Sequence, residues 1–278
     1  MQGYKSILVH VTPEEAAGAR LALAADLAER FDSHLIGLGA GCINLPVDAM
    51  GDGSAAAAVV EIETEDLVAA LRGAETRFRK ALGQHGAKVE WRCFQEFPAG
   101  AIAREARAAD LVVLGREWAG GSANFSLAAN PGDVVLRAGR PVLVVPPGID
   151  RLEASRVVIA WKDTREARRA VRDALPLLQG AERVSVVEIC EEEEQAEQAA
   201  ARAEDVARYL VRHGIGARGS AQRMTERSAA AQIERVAQAE GADLIVAGGY
   251  GHARLREWVF GGVTRELLRG ARCCLLSH

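Results

Sequence analysis

Short apolar runs of strand length alternate along the chain with longer stretches whose apolar residues recur every three or four positions, the pattern of crossover β/α units. In the later part of the chain the predicted strands are 157–161, 183–189, a weaker one at 215–223, 242–247 and 272–277. The predicted helices there are 166–178, 191–212, 228–240 and 262–269, with Val206, Leu210 and Val211 on the apolar face of the second. Runs such as Leu244-Ile245-Val246 are apolar throughout, which suits strands covered on both faces of a parallel sheet. The expected class is α/β, doubly wound.

The pattern occurs twice. Ser6-Ile7-Leu8-Val9-His10-Val11 is matched 150 positions later by Arg156-Val157-Val158-Ile159-Ala160-Trp161. Ala109-Asp110-Leu111-Val112-Val113-Leu114-Gly115 is matched by Ala242-Asp243-Leu244-Ile245-Val246-Ala247-Gly248, and the closing run 141–145 by 273–277. Landmarks recurring in one order make a tandem duplication. Pro146-Pro147-Gly148-Ile149-Asp150 punctuates the junction, so the domains are expected at 1–147 and 155–278. The two closing strands are apolar edges, and an exposed edge of that kind invites pairing. They are expected to pair with each other, making an intrachain pseudo-dimer.

Composition removes several function classes. The 278 residues are 49% hydrophobic, 26% charged and 5% aromatic, with a formal net charge of −4, too balanced for a protein that coats nucleic acid or an anionic membrane. No run approaches the roughly 20 apolar residues that span a bilayer, and residues 1–10 lack a signal-peptide core. The expectation is a cytoplasmic protein with no nucleic-acid or membrane partner. Five cysteines without C-x-x-C spacing mark neither a disulfide framework nor a zinc motif, and Cys273-Cys274 reads as a pair of small hydrophobes on a core strand. Six histidines without an H-E-x-x-H arrangement give no metal site, and Glu191 to Glu194 reads as a solvated acidic face.

Ligands of doubly wound sheets sit beyond the carboxyl ends of the strands, which directs attention to the turns there. No Walker loop, G-x-S-x-G elbow or G-x-G-x-x-G follows Val11 or Trp161, so no catalytic residue is marked. After Ala247, however, comes Gly248-Gly249-Tyr250-Gly251-His252, and farther on Gly261-Gly262-Val263-Thr264. Glycines at a strand end let backbone approach a ligand, and N–H groups at a following helix start favour phosphate oxygens. The plainer reading is a loop whose glycines only permit tight turns.

Gly248-x2-Gly251-x9-Gly261 directly after Ala-Asp-Leu-Ile-Val resembles the nucleotide loop of the universal stress protein family, and the likeness covers essentially the whole chain as two tandem domains. The resemblance implies in each domain a five-stranded parallel sheet, order 3-2-1-4-5, flanked by helices, with dimer-like pairing of domains, compatibility with a homodimer, and in some members bound ATP, for which Mg²⁺ is a natural companion. It implies that Gly248, Gly251, Gly261 and Gly262 hold phosphates, that Val263 and Thr264 belong to the same binding site, that Lys162 and Asp163 lie beside them, and that adenine packs against backbone near Val187. This sequence departs from the pattern in two places: Gly262 stands where a Ser or Thr normally follows the last glycine, and Lys162 where the first strand normally ends in Asp. In the first half Gly115-Arg116-Glu117-Trp118 breaks the glycine spacing and Thr12 replaces the Asp, so a nucleotide is expected in the second domain alone. The implied function is a non-catalytic binding and regulatory protein of the stress response. A slow ATP hydrolase or phosphotransferase using the same loop, and a ligand-free interaction protein, are the alternatives.

Overall fold

The computed structural model describes residues 3–14, 17–44, 53–83, 88–116, 125–251 and 262–278. The chain packs into two units: Tyr4–Val134 with Pro147–Arg151, and Leu152–His278 with Met1–Gly3 and Val135–Pro146.

The first unit contains β1 (Ser6–His10), α1 (Ala17–Phe31), β2 (His34–Ala40), β3 (Cys42–Ile43), α2 (Gly53–Leu82), β4 (Lys88–Phe94), α3 (Pro98–Glu105), β5 (Leu111–Gly115) and β6 (Phe125–Ser126), and the start of α4 (Pro131–Arg137). Its sheet runs β5-β1-β2-β4, with every pair parallel. Ile7, Leu8 and Val9 on β1 and Leu111, Val112 and Val113 on β5 are wholly buried, as strands covered on both faces require. The two-residue strands β3 and β6 form an antiparallel pair apart from this sheet. They are too short to leave a periodic trace in the sequence.

The second unit contains β7 (Val142–Val145), β8 (Arg156–Trp161), α5 (Arg165–Leu178), β9 (Arg183–Cys190), α6 (Ala196–Arg212), β10 (Ala217–Arg223), α7 (Ala229–Glu240), β11 (Leu244–Gly248), α8 (Gly262–Leu267) and β12 (Cys273–Ser277). The five strands of the second repeat lie side by side as β10-β9-β8-β11-β12, all parallel, which in repeat numbering is 3-2-1-4-5. β7 joins the far side of β12 antiparallel, with Val144 opposite Cys274 and Val142 opposite Leu276. The closing strand of the first repeat thus packs with the second unit, and Cys273 and Cys274 are buried there.

Local chemistry explains the element boundaries. Thr164 caps α5 and Ser228 caps α7, each side-chain oxygen accepting the N–H three residues on, from Ala167 and Ala231. Gly241 ends α7 in the left-handed conformation at φ +63°, a position that favours a residue without a Cβ. The acidic run 191–194 is exposed, as a solvated face should be, and enters a single 3₁₀ turn, Glu193–Gln195, before α6.

One expectation about α6 is corrected. Leu210 is buried, but Val206 is only half-buried and Val211 is 56% exposed; the buried face is Ala199, Ala203, Ala207 and Leu210. The helix lies so close to β10 that a Cβ on Gly219 would fall 2.2 Å from the Glu204 backbone nitrogen. Only small side chains fit that approach, so alanines take the face that valine periodicity suggests.

Candidate functional site at the carboxyl edge of the second unit

Residues paired across parallel strands project to the same face of the sheet. Leu244 is level with Val157 and Val246 with Ile159, so continuing that register places Gly248 beside Trp161. Trp161 in turn pairs with Glu188 on β9. Gly248, Trp161 and Glu188 therefore form a row at the carboxyl edge, on the face where α5 packs over β11 and α6 over β9.

At Gly248 the first turn of α5 comes down onto the strand: a Cβ there would stand 2.5 Å from the Ala167 nitrogen and 2.8 Å from the Glu166 carbonyl carbon. At Gly251 a Cβ would meet Glu166 Oε2 at 3.0 Å and Thr164 Oγ1 at 3.1 Å. Both glycines thus admit the start of α5, a packing role that sequence spacing alone does not reveal. Between them Tyr250 adopts φ +59°, and its N–H donates to the Thr264 hydroxyl at 3.2 Å, tying the loop to α8. The Gly249 N–H donates to the Ser277 carbonyl at 2.8 Å, holding the other side of the turn to β12.

Of the residues expected at the site, Gly248, Gly251 and Thr264 are brought together. Lys162 and Asp163 are exposed in the turn between β8 and α5, where Asp163 pairs with Arg168 and lies within electrostatic reach of Arg202. Val187 is buried, and on the pleat it points away from the face occupied by its neighbour Glu188. Gly262 and Val263 begin α8 and are exposed, and among the described residues no atom stands within 4 Å of where a Gly262 Cβ would be. Gly261 and His252 lie outside the described residues.

Three functional candidates escape sequence reading. The Trp161 side chain is 8% exposed, yet its indole N–H has no hydrogen-bond partner among the described residues. Glu188 is buried and accepts from Arg202 of α6, with Nε 3.1 Å from each carboxylate oxygen. Glu166, in the first turn of α5, is 3% exposed and pairs with Arg165. Burial works against its ionisation, but Arg165, its own backbone N–H and the Thr164 hydroxyl outweigh that and hold its carboxyl below the usual range. Register would have flagged Trp161 and Glu188; nothing in the sequence distinguishes Glu166 from other helix-start carboxylates.

The matching edge of the first unit is filled from within. Arg20 of α1 is 4% exposed, its Nε donating to the His10 carbonyl at 3.0 Å and its second nitrogen to the Thr12 hydroxyl at 3.4 Å. A Cβ on Gly115 would fall on this guanidinium. The space above β5 thus holds a buried cation where the second unit has Gly248 beneath the start of α5. Trp118 and Glu117 lie outside the described residues.

A family model described as Universal stress protein family matches the chain twice, over residues 3–146 and 153–276. The chain belongs to the universal stress protein family. It is a tandem member, with two copies of the family's α/β domain. The universal stress protein from Archaeoglobus fulgidus DSM 4304 has the same fold, with a TM-score of 0.68 at 14% identity, covering 98% of this chain and 95% of its own. A functionally unknown protein from Pseudomonas aeruginosa PAO1 is similar at a TM-score of 0.60 and 18% identity, covering 99% and 93%. No curated protein matches by sequence. Among the described residues, no helix is long and apolar enough to cross a membrane, and no group of three or more His, Cys, Asp or Glu is placed to hold a metal ion.

Proposed function

We propose that this universal stress protein is a binding and regulatory protein of the stress response that takes an adenine nucleotide at the carboxyl edge of its second repeat. The observation that carries the reading is Trp161: its indole N–H, in a residue 8% exposed, has no partner among the described residues, and such a group costs free energy unless an acceptor reaches it. It stands level with Gly248 and Glu188, at the strand ends where ligands of doubly wound sheets bind. Gly248, Gly251, Tyr250 and Thr264 supply close backbone and a hydroxyl on one side, and Glu188 with Arg202 supplies polar groups on the other. These residues fit a nucleoside carrying phosphate, held by hydrogen bonds and close packing. Binding, with no bond made or broken, accounts for every one of these groups.

The first repeat is proposed to bind none, since Arg20 fills the space above Gly115. Protein purified without added nucleotide, denatured and analysed for released small molecules, should yield an adenine nucleotide at no more than one per chain. A parallel assay should show no release of phosphate from ATP. Calorimetric titration giving two equivalent sites per chain would refute the asymmetry, and binding that survives Gly251→Asp would refute the loop assignment.

A further inference from the structure

The carboxylate of Glu166 is buried in the first turn of α5, where backbone N–H groups favour an anion. It lies in the first turn of α5, a 14-residue helix, and fills the space that the absent Gly251 side chain leaves, with Oε2 3.0 Å from that Cβ position. Its own backbone N–H and the Thr164 hydroxyl bond to it, and these are the groups that a phosphate oxygen would otherwise use. Trp161, buried on the same face beside Gly248 with no partner for its indole N–H among the described residues, is an independent pointer to a ligand at this edge.

We infer that Glu166 is a selectivity residue that stands in for phosphate and disfavours ligands whose phosphate chain must pass Gly251. The inference rests on the adenine-nucleotide reading above and refines it. Adenosine and AMP leave the Glu166 carboxylate where it is. A polyphosphate brings a second anion to the same helix start, where Arg165, the cation paired with Glu166 among the described residues, is largely exposed and offsets little of the like charge. ATP binding therefore requires Glu166 to swing out of the first turn, and the ratio of AMP to ATP affinity is set by that one side chain.

The test is calorimetric titration of the full chain and of Glu166→Gln with adenosine, AMP and ATP, with thermal unfolding of each ligand-free protein as a control. Gln keeps the shape and loses the charge. The expected result is a gain of about tenfold or more in ATP affinity and a change within about twofold for adenosine. Glu166→Ala should show the same ordering, and serves where Gln impairs folding. Equal ATP affinity in wild type and variants overturns the selectivity role while leaving the nucleotide reading intact, as does a loss of ATP binding, which would make Glu166 a ligand contact. Failure of all the proteins to bind any of the three ligands overturns both.

Discussion

His10 lies wholly buried at the end of β1, and loss of water first, then the Arg20 charge, lower its pKa to about 3. The unfolded chain takes up a proton near pH 6.5 that the folded protein refuses until about pH 3, so the folded state loses ground as pH falls through that interval. Stability from this group is complete above about pH 6.5 and declines by up to about 1.4 kcal/mol per pH unit below it. Glu90, Glu105 and Glu166 also have carboxyls held below their ordinary value near 4.5, so what they contribute is present above that value and is lost only in more acid solution. Asp173 runs the other way: burial pushes its carboxyl above the ordinary 3.8, so it favours the folded state as pH falls, and the difference between wild type and a His10 variant across pH 6.5 to 4.5 is what reports the histidine. Urea unfolding at several pH values should show the wild-type midpoint dropping across this interval and His10→Leu nearly level. An unchanged slope in the variant would remove His10 as the cause.

The glycines of the second unit separate into those that admit a neighbouring element and those that do not. Gly219 and Gly248 face backbone atoms at 2.2 Å and 2.5 Å from a would-be Cβ, on α6 and α5, and backbone cannot step aside as the end of a side chain can. Gly219→Ala and Gly248→Ala should each cost about 2 kcal/mol by overpacking. Gly262, with no atom of the described residues within 4 Å of the same position, should tolerate alanine with no loss, or gain about 0.5 kcal/mol from a less flexible unfolded chain. Chemical denaturation of the three variants gives the comparison directly, and a Gly248→Ala protein as stable as wild type would contradict the close approach of α5. All three stand in glycine-containing sequence of similar appearance; the distances alone separate them.

For the chain as a whole, the position of β7 decides how the molecule can be cut. β12 lies between β11 and β7, so a fragment of residues 155–278 leaves one side of β12 unpaired. An apolar strand exposed in this way is a template for association. That fragment should self-associate at concentrations where the full chain does not, which sedimentation analysis over a range of concentrations would show. A 155–278 fragment that stays monomeric at high concentration would show the edge to be harmless. The point at which the sequence repeats and the point at which the chain divides by packing therefore differ: the Pro-Pro-Gly junction follows β7, while the packing boundary precedes it.

The sequence by itself determined the α/β class, the duplication, the strands of the second repeat to within a few residues and the family. Each depends on periodicity or on landmarks in fixed order, which are properties of neighbouring residues. It also pointed to Gly248, Gly251 and Thr264, because their spacing is local. Only the tertiary structure decided what those glycines face, since Gly248 meets a helix start more than 80 positions earlier in the chain. The same holds for Trp161, whose place beside Gly248 and Glu188 is apparent only once β8, β9 and β11 are in register, and for Arg20, which fills the edge of the first repeat from another element. Val211 and the alanine face of α6 belong here too. Hydrophobicity indicates which residues are able to be buried, and the distance between packed elements selects those that are.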